Sequence, residues 1–133
     1  MPVDYGNLTS QFWSNCYLHP FEMPTRRSRV WRRDDRPVAL TEYGGYSLKV
    51  AGHDWSTREF GYRHFETADD LAAGFVALHR EQIEPALAQG LAATVYTQLS
   101  DVEDELNGLL TWDREVLKIT ADLIRSVTAT LHP

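Results

Sequence analysis

A chain of 133 residues, 43% hydrophobic and 24% charged, has the balance of a single globular domain spanning residues 1–133 with a modest core. Its net charge of −6 excludes the basic footprint of a general nucleic-acid binder, and its single cysteine, Cys16, excludes a disulfide framework or a cysteine-rich zinc site. No stretch approaches the roughly 20 apolar residues of a membrane span, and residues 1–10 lack the basic start and apolar run of a secretory leader, so the expected location is cytoplasmic.

Residues 1–11 are polar and unpatterned. Residues 12–19 read as a short strand, stopped by Pro20 and Pro24. Residues 25–36 carry Arg26, Arg27, Arg29, Arg32, Arg33 and Arg36, partly neutralised by Asp34 and Asp35. Such a cluster could hold phosphate. Without helical spacing, in an acidic chain, it reads instead as a solvated loop or one paired with the acidic residues at 101–105. Pro37 then forces extended backbone into residues 38–42, an apolar run predicted as a buried strand that ends in Glu42.

Gly44-Gly45 allows a sharp turn into a long connection, residues 46–66, rich in polar and aromatic side chains. A structureless loop of that length in a compact domain is unusual and often functional. Thr67 can cap a helix whose first turn carries Asp69 and Asp70, where the dipole favours acids. Leu71, Phe75, Leu78 and then Gln82-Ile83 form its inward stripe. Pro85 predicts a kink or restart, and Gly90 a stop. Residues 91–99 are predicted as a second buried strand, 100–108 as an acidic loop and 109–112 as extended or turn-like. Thr120 can cap a last helix over 121–131, with Leu123, Ile124, Val127 and Leu131 on one face. Strands alternating with helices predict an α/β fold of parallel strands joined by helical crossovers. There is no internal repeat and no low-complexity tract.

An acid at the C-terminal end of a parallel strand occupies the place where barrel enzymes keep catalytic groups, and Glu42 fits it. The same pattern suits a salt-bridged acid at a strand end, and spacing alone does not separate the two. Asp101, Glu103, Asp104 and Glu105 lack the glycine and the spacing of a calcium-binding hand, so they read as capping carboxylates of a structural loop. His53, His64 and His79 have no metal spacing. His79 is expected at a helix surface or boundary, and His53 and His64 at the edge of a substrate site. Cys16 reads as a small buried residue. No metal or cofactor is expected.

Two segments carry a family resemblance. Thr41-Glu42-Tyr43-Gly44-Gly45-Tyr46 resembles the nucleophile segment of glycoside hydrolase family 2, the β-galactosidase and β-glucuronidase family. Tyr96-Thr97-Gln98-Leu99-Ser100-Asp101-Val102-Glu103-Asp104-Glu105, followed by Asn107-Gly108-Leu109-Leu110-Thr111-Trp112-Asp113-Arg114, is similar to the last-strand segment of a bacterial branch of that family. The likeness runs from about residue 13 to about residue 131. It implies the C-terminal portion of a TIM-type (β/α)8 barrel. Residues 12–18 would be strand six, the strand ending at Glu42 strand seven, and residues 92–99 strand eight.

The resemblance further implies a retaining β-glycosidase with Glu42 as nucleophile and with Tyr96, His19, Tyr43 and Gln98 at the sugar. The family's acid/base lies on strand four in an Asn-Glu pair, and no such pair occurs in this sequence. Phe21 aligns with a strand-six tyrosine that steadies the nucleophile in many relatives, and Tyr96 with a strand-eight tryptophan. The β-sandwich domains that precede the barrel in the family have no counterpart here. The expected function is therefore that of a C-terminal fragment of such an enzyme, with little turnover on its own. The alternative is a non-catalytic sugar-binding or assembly module. The expected partners are a β-glycoside and either an upstream barrel fragment or a second copy of the chain, with neither nucleic acid nor membrane.

Overall fold

The computed structural model of the protein describes residues 38–55, 58–88 and 91–131. The strand expected at 12–18, His19, Phe21, Cys16, the arginine-rich segment 25–36 and Gly90 lie outside these residues. The described part is a mixed α/β structure. Strand β1 (Val38–Gly44) pairs in parallel with β4 (Leu91–Thr97), and β2 (Tyr46–Leu48) pairs in parallel with β3 (Arg63–Phe65). Helix α1 (Ala68–Leu78), a π-helical segment (His79–Ile83) and the short α2 (Glu84–Ala88) return the chain from β3 to β4. Helix α3 (Ala121–Thr128) ends in a 3-10 turn, Ala129–Leu131.

The long connection at 46–66 is not structureless. Its two ends, β2 and β3, form a small parallel ladder from Tyr46↔Arg63 to Leu48↔Phe65, and Tyr46, Ser47 and Leu48 are all buried. Three-residue strands are too short to show a period, which is why the sequence pattern hides them.

The helical return forms for local reasons. The Thr67 hydroxyl accepts the Asp70 amide at 3.1 Å, and the backbone of Thr67 is extended, as an N-cap requires. Leu71, Phe75 and Leu78 are buried on one side of α1. Pro85 has no N–H and its ring crowds the carbonyl four residues back. The chain widens ahead of it, and the Glu84 amide bonds the His79 carbonyl, five residues back. That π turn lets the helix restart at Glu84 with Pro85 in its first turn.

One hydrophobic core joins Leu40, Tyr43, Tyr46 and Leu48 to Leu71, Phe75, Leu78, Ile83, Ala86, Leu91, Ile119 and Val127. The helical layer thus covers one face of the β1–β4 pair. The other face is uncovered among the described residues. Ala39, Ala93 and Val95 are exposed, Val95 by 57%, and Leu99 just beyond β4 is 72% exposed. Residues 91–99 read as a buried strand, and β4 (Leu91–Thr97) is covered on one side only, because the sheet carries no second layer among the described residues.

Strand edges without a neighbour among the described residues, beside an exposed apolar face, favour self-association. Sedimentation of the isolated chain is expected to show concentration-dependent oligomers. A monodisperse monomer over a tenfold range of concentration would contradict this. No helix among the described residues is long and apolar enough to cross a membrane.

Candidate functional site

Glu42 lies near the C-terminal end of β1, half-buried. The ladder with β4 slips at Glu42 and again upstream of it. Leu40 pairs with Thr94 and Tyr43 with Tyr96, so three steps of β1 match two of β4. The extra residue at Thr41-Glu42 is a bulge. Its consequence is visible in the core: Leu40 and Tyr43 both face the helices, although residues three apart on a regular strand face opposite ways. Bulges of this kind re-aim single side chains and are common at barrel rims and beside active sites. A compensating slip lies upstream, where the single step Val38 to Ala39 matches Leu91 to Ala93.

Beyond Glu42 the glycines are required. Gly44 has φ +95° and Gly45 φ +64°, both in the left-handed region. A Cβ on Gly44 would stand 2.5 Å from the Tyr96 ring, and one on Gly45 would collide with the ring of Tyr62. The backbone therefore turns through a space walled by two aromatic rings. The Gly45 amide bonds the Thr97 carbonyl at 2.9 Å and ties the ends of β1 and β4 together.

Tyr43 and Tyr96 do come together, with ring centroids 5.4 Å apart, but on the helix-covered side. Phase relative to the sheet decides this: the side chains that follow Glu42 and Val95 point to the opposite face. The Tyr43 hydroxyl lies 3.0 Å from His79 Nε2, and His79 Nδ1 lies 2.8 Å from the Phe75 carbonyl. Since only a ring N–H can bond that carbonyl, Nδ1 carries the proton, and neutral Nε2 accepts from Tyr43. His79 is buried, not a surface or boundary residue, because positions 71, 75 and 79 share one helical stripe. Phe75 and Tyr96 flank its ring. Burial also pushes the Tyr96 phenol well above its ordinary pKa.

Burial lowers the His79 pKa, outweighing the Phe75 carbonyl and the charge of Glu84, which raise it. A depressed histidine stabilises the fold above its unfolded value of about 6.5 and loses that contribution as pH falls. The melting temperature is expected to decline below about pH 6.5, and His79→Gln should flatten that decline. A proton NMR titration placing the His79 midpoint at or above the free value would contradict the assignment.

Gln98 begins the loop after β4, and its side chain is committed to that loop. Its amide nitrogen donates to Asn107 Oδ1 at 2.6 Å and to Glu105 Oε2 at 3.0 Å. The peptide joining Thr97 to Gln98 is cis. His19, the remaining expected sugar contact, lies outside the described residues.

The acidic loop holds a feature that sequence reading missed. Asp101 is buried, and its Oδ1 accepts from Lys118 Nζ at 2.8 Å and from the Gly108 amide at 2.8 Å. Lys118 Nζ also donates to the Leu106 carbonyl at 3.0 Å. Burial pushes the Asp101 carboxyl up and the Lys118 ammonium down from their ordinary values, against the ion pair between them. The available signal was Lys118 itself, a lone cation inside the apolar run Val116-Leu117-Lys118-Ile119. Of the four carboxylates read as caps of this loop, Asp101 is internal.

Ser47, His64 and Glu59 lie mutually within 3.0 Å and superficially suggest a nucleophile with its base. Ser47 and Glu59 both meet the same ring nitrogen, His64 Nδ1, so no proton can be relayed across the ring. Ser47 is also wholly buried. Burial raises the Glu59 carboxyl, but hydrogen bonds from His64 and Ser47 outweigh it, and the net shift is downward. The trio pins β2 to β3.

His53 is half-buried. Its Nδ1 meets Asp113 Oδ2 at 2.7 Å, and Thr111 Oγ1 and the Glu115 amide donate to Asp113 Oδ1. These bonds hold the Asp113 carboxyl at a pKa of about 2. His53, Asp113 and Glu115 have ligand atoms within 4.8 Å of one another, all at the surface. No known protein-family model matches the chain, and a search of curated proteins finds no match.

Proposed function

We propose that this chain is the C-terminal part of the catalytic barrel of a retaining β-glycosidase of glycoside hydrolase family 2, with Glu42 as its nucleophile. On this reading β1 and β4 are strands seven and eight, and the bare face of the pair, with Ala39, Ala93 and Val95, faces the barrel interior. The observation that carries the reading is the bulge at Thr41-Glu42, which sets a half-buried carboxylate at the C-terminal end of a parallel strand, directly before the Gly44-Gly45 turn. The resemblance of the segments around Glu42 and after Tyr96 supplies the chemistry.

The reaction needs a second carboxyl group about 5–5.5 Å from the first. A Glu42 oxygen attacks the anomeric carbon as the bond to the leaving oxygen breaks. The second carboxyl protonates that oxygen, then takes a proton from the water that hydrolyses the glycosyl-enzyme. The second group belongs to an upstream part of the barrel, since these residues contain no Asn-Glu pair. Losing a general acid costs about 10²–10⁴ in rate. A leaving group of low pKa departs without that help.

Incubation with 2,4-dinitrophenyl 2-deoxy-2-fluoro-β-glycosides is therefore the direct test, because the fluorine slows hydrolysis of the intermediate. The chain, mixed with an upstream barrel fragment, should gain one glycosyl mass on the peptide containing Glu42, and the Glu42→Gln variant should gain none. Failure with galactoside, glucoside and glucuronide alike would overturn the nucleophile assignment. Sugar binding without an adduct would favour a non-catalytic carbohydrate-binding module, the reading that the missing Asn-Glu pair itself suggests.

A further inference from the structure

Two tryptophans from loops far apart in sequence meet at the surface. Trp55 and Trp112 lie with ring centroids 4.5 Å apart, edge to face, yet remain 57% and 37% exposed. Trp55 follows β2, and Trp112 belongs to the loop after β4. Neither ring belongs to the hydrophobic core. A side-chain bond also joins the two loops. His53 bonds Asp113 at 2.7 Å across the two loops, while the Lys49–Asp54 pair at 3.0 Å braces the first loop and the Thr111 amide, bonded to the Val116 carbonyl at 3.0 Å, braces the second. The rings are thus held in place before anything binds, which lowers the entropy lost on binding.

We propose that Trp55 and Trp112 form a carbohydrate-binding platform separate from Glu42. The chemistry matches a pyranose ring. Such a ring has an apolar C–H face, which stacks on an indole, and a rim of hydroxyls that need acceptors and donors. His53, Asp113 and Glu115, close in sequence to the two tryptophans, have polar atoms within 4.8 Å of one another. Asp113 is already ionised at neutral pH, since its pKa lies near 2, and so accepts hydroxyl hydrogen bonds. A purely apolar partner would leave these polar groups desolvated and unmatched. The choice of a sugar as occupant draws on the glycosidase reading, whereas the ring pair and its joined loops do not depend on it.

The test is an NMR titration of the whole chain with cellobiose, lactose and methyl β-glucoside, following the indole N–H signals. The Trp55 and Trp112 signals are expected to move saturably with at least one of these probes, with Kd in the millimolar range. Trp55→Ala and Trp112→Ala should each weaken binding about tenfold or more, while Trp55→Phe, which keeps a ring, should weaken it less. Circular dichroism melts of the variants separate lost binding from lost folding. Glu42→Gln should leave the titration unchanged.

No movement up to roughly 100 mM of every probe would overturn the proposal, as would binding that survives both alanine variants or disappears with Glu42→Gln. Indole shifts without an adduct on Glu42 would keep the platform and remove the catalytic reading. An adduct without indole shifts would do the reverse.

Discussion

Replacing Asp101 with Ala is expected to destabilise the protein by about 3–5 kcal/mol, the cost of leaving a buried charge without its partner. Lys118 has nowhere else to send its charge. Its ammonium is enclosed, and its other acceptor is the Leu106 carbonyl. The Gly108 amide would be left unbonded as well. Against a usual total of about 5–15 kcal/mol, one such change brings the fold near its threshold. Lys118→Met should cost less, because Asp101 then keeps the Gly108 amide and can take up a proton.

The double change Asp101→Leu with Lys118→Met should recover much of the loss, since an apolar pair incurs no desolvation of charge. Urea unfolding of the wild type, Asp101→Leu, Lys118→Met and the double variant, as a double-mutant cycle, measures the coupling. A loss below about 1 kcal/mol for Asp101→Ala would mean that the pair is wet and contributes as a surface bridge does.

The second large effect concerns rate. With the upstream barrel fragment present, Glu42→Ala is expected to lower turnover of 4-nitrophenyl β-glycosides by about 10⁴- to 10⁶-fold, the scale of losing a covalent nucleophile. Removing the side chain leaves a space beside the anomeric carbon. Added azide should enter that space, attack the anomeric carbon, displace nitrophenolate and give the α-glycosyl azide. That product has the opposite anomeric configuration from the one released by the intact enzyme, and proton NMR distinguishes the two. Turnover that is indifferent to Glu42→Ala would end the nucleophile assignment.

Tyr43→Phe offers a useful contrast. Its hydroxyl meets His79 inside the core, so its removal should act on stability by leaving the His79 acceptor unbonded. If the change acts instead mainly on KM, Tyr43 reaches the sugar in the complete barrel.

Much of the fold was legible in the residues. The strand ending at Glu42, the Thr67 cap, the stripe Leu71, Phe75 and Leu78, the restart at Pro85 and the Thr120 cap all appear near their expected places. Each depends on neighbours within a few positions, where propensity and periodicity act directly. The β2–β3 ladder was not legible, because its strands are three residues long and seventeen positions apart in pairing. The candidate site was half legible. Glu42 and its glycines could be picked out from the segment itself, and Tyr96 from its likeness to a strand-eight position. What faces Tyr96 could not. A side chain's face depends on strand phase, and two register slips set that phase.

By itself the sequence determined the longer strand and helix segments, β1, α1 and β4 among them, that β1 and β4 would run parallel, and that the chain would turn through Gly44-Gly45. These follow from local sterics and from the spacing of apolar side chains. The tertiary structure alone decided what each polar side chain would meet: Lys118 with Asp101, His79 with Tyr43, His53 with Asp113, and Trp55 with Trp112. The physical reason is common to all four. A polar or aromatic group in an unpaired segment has many acceptable partners, and only the packing of distant loops and helices chooses among them.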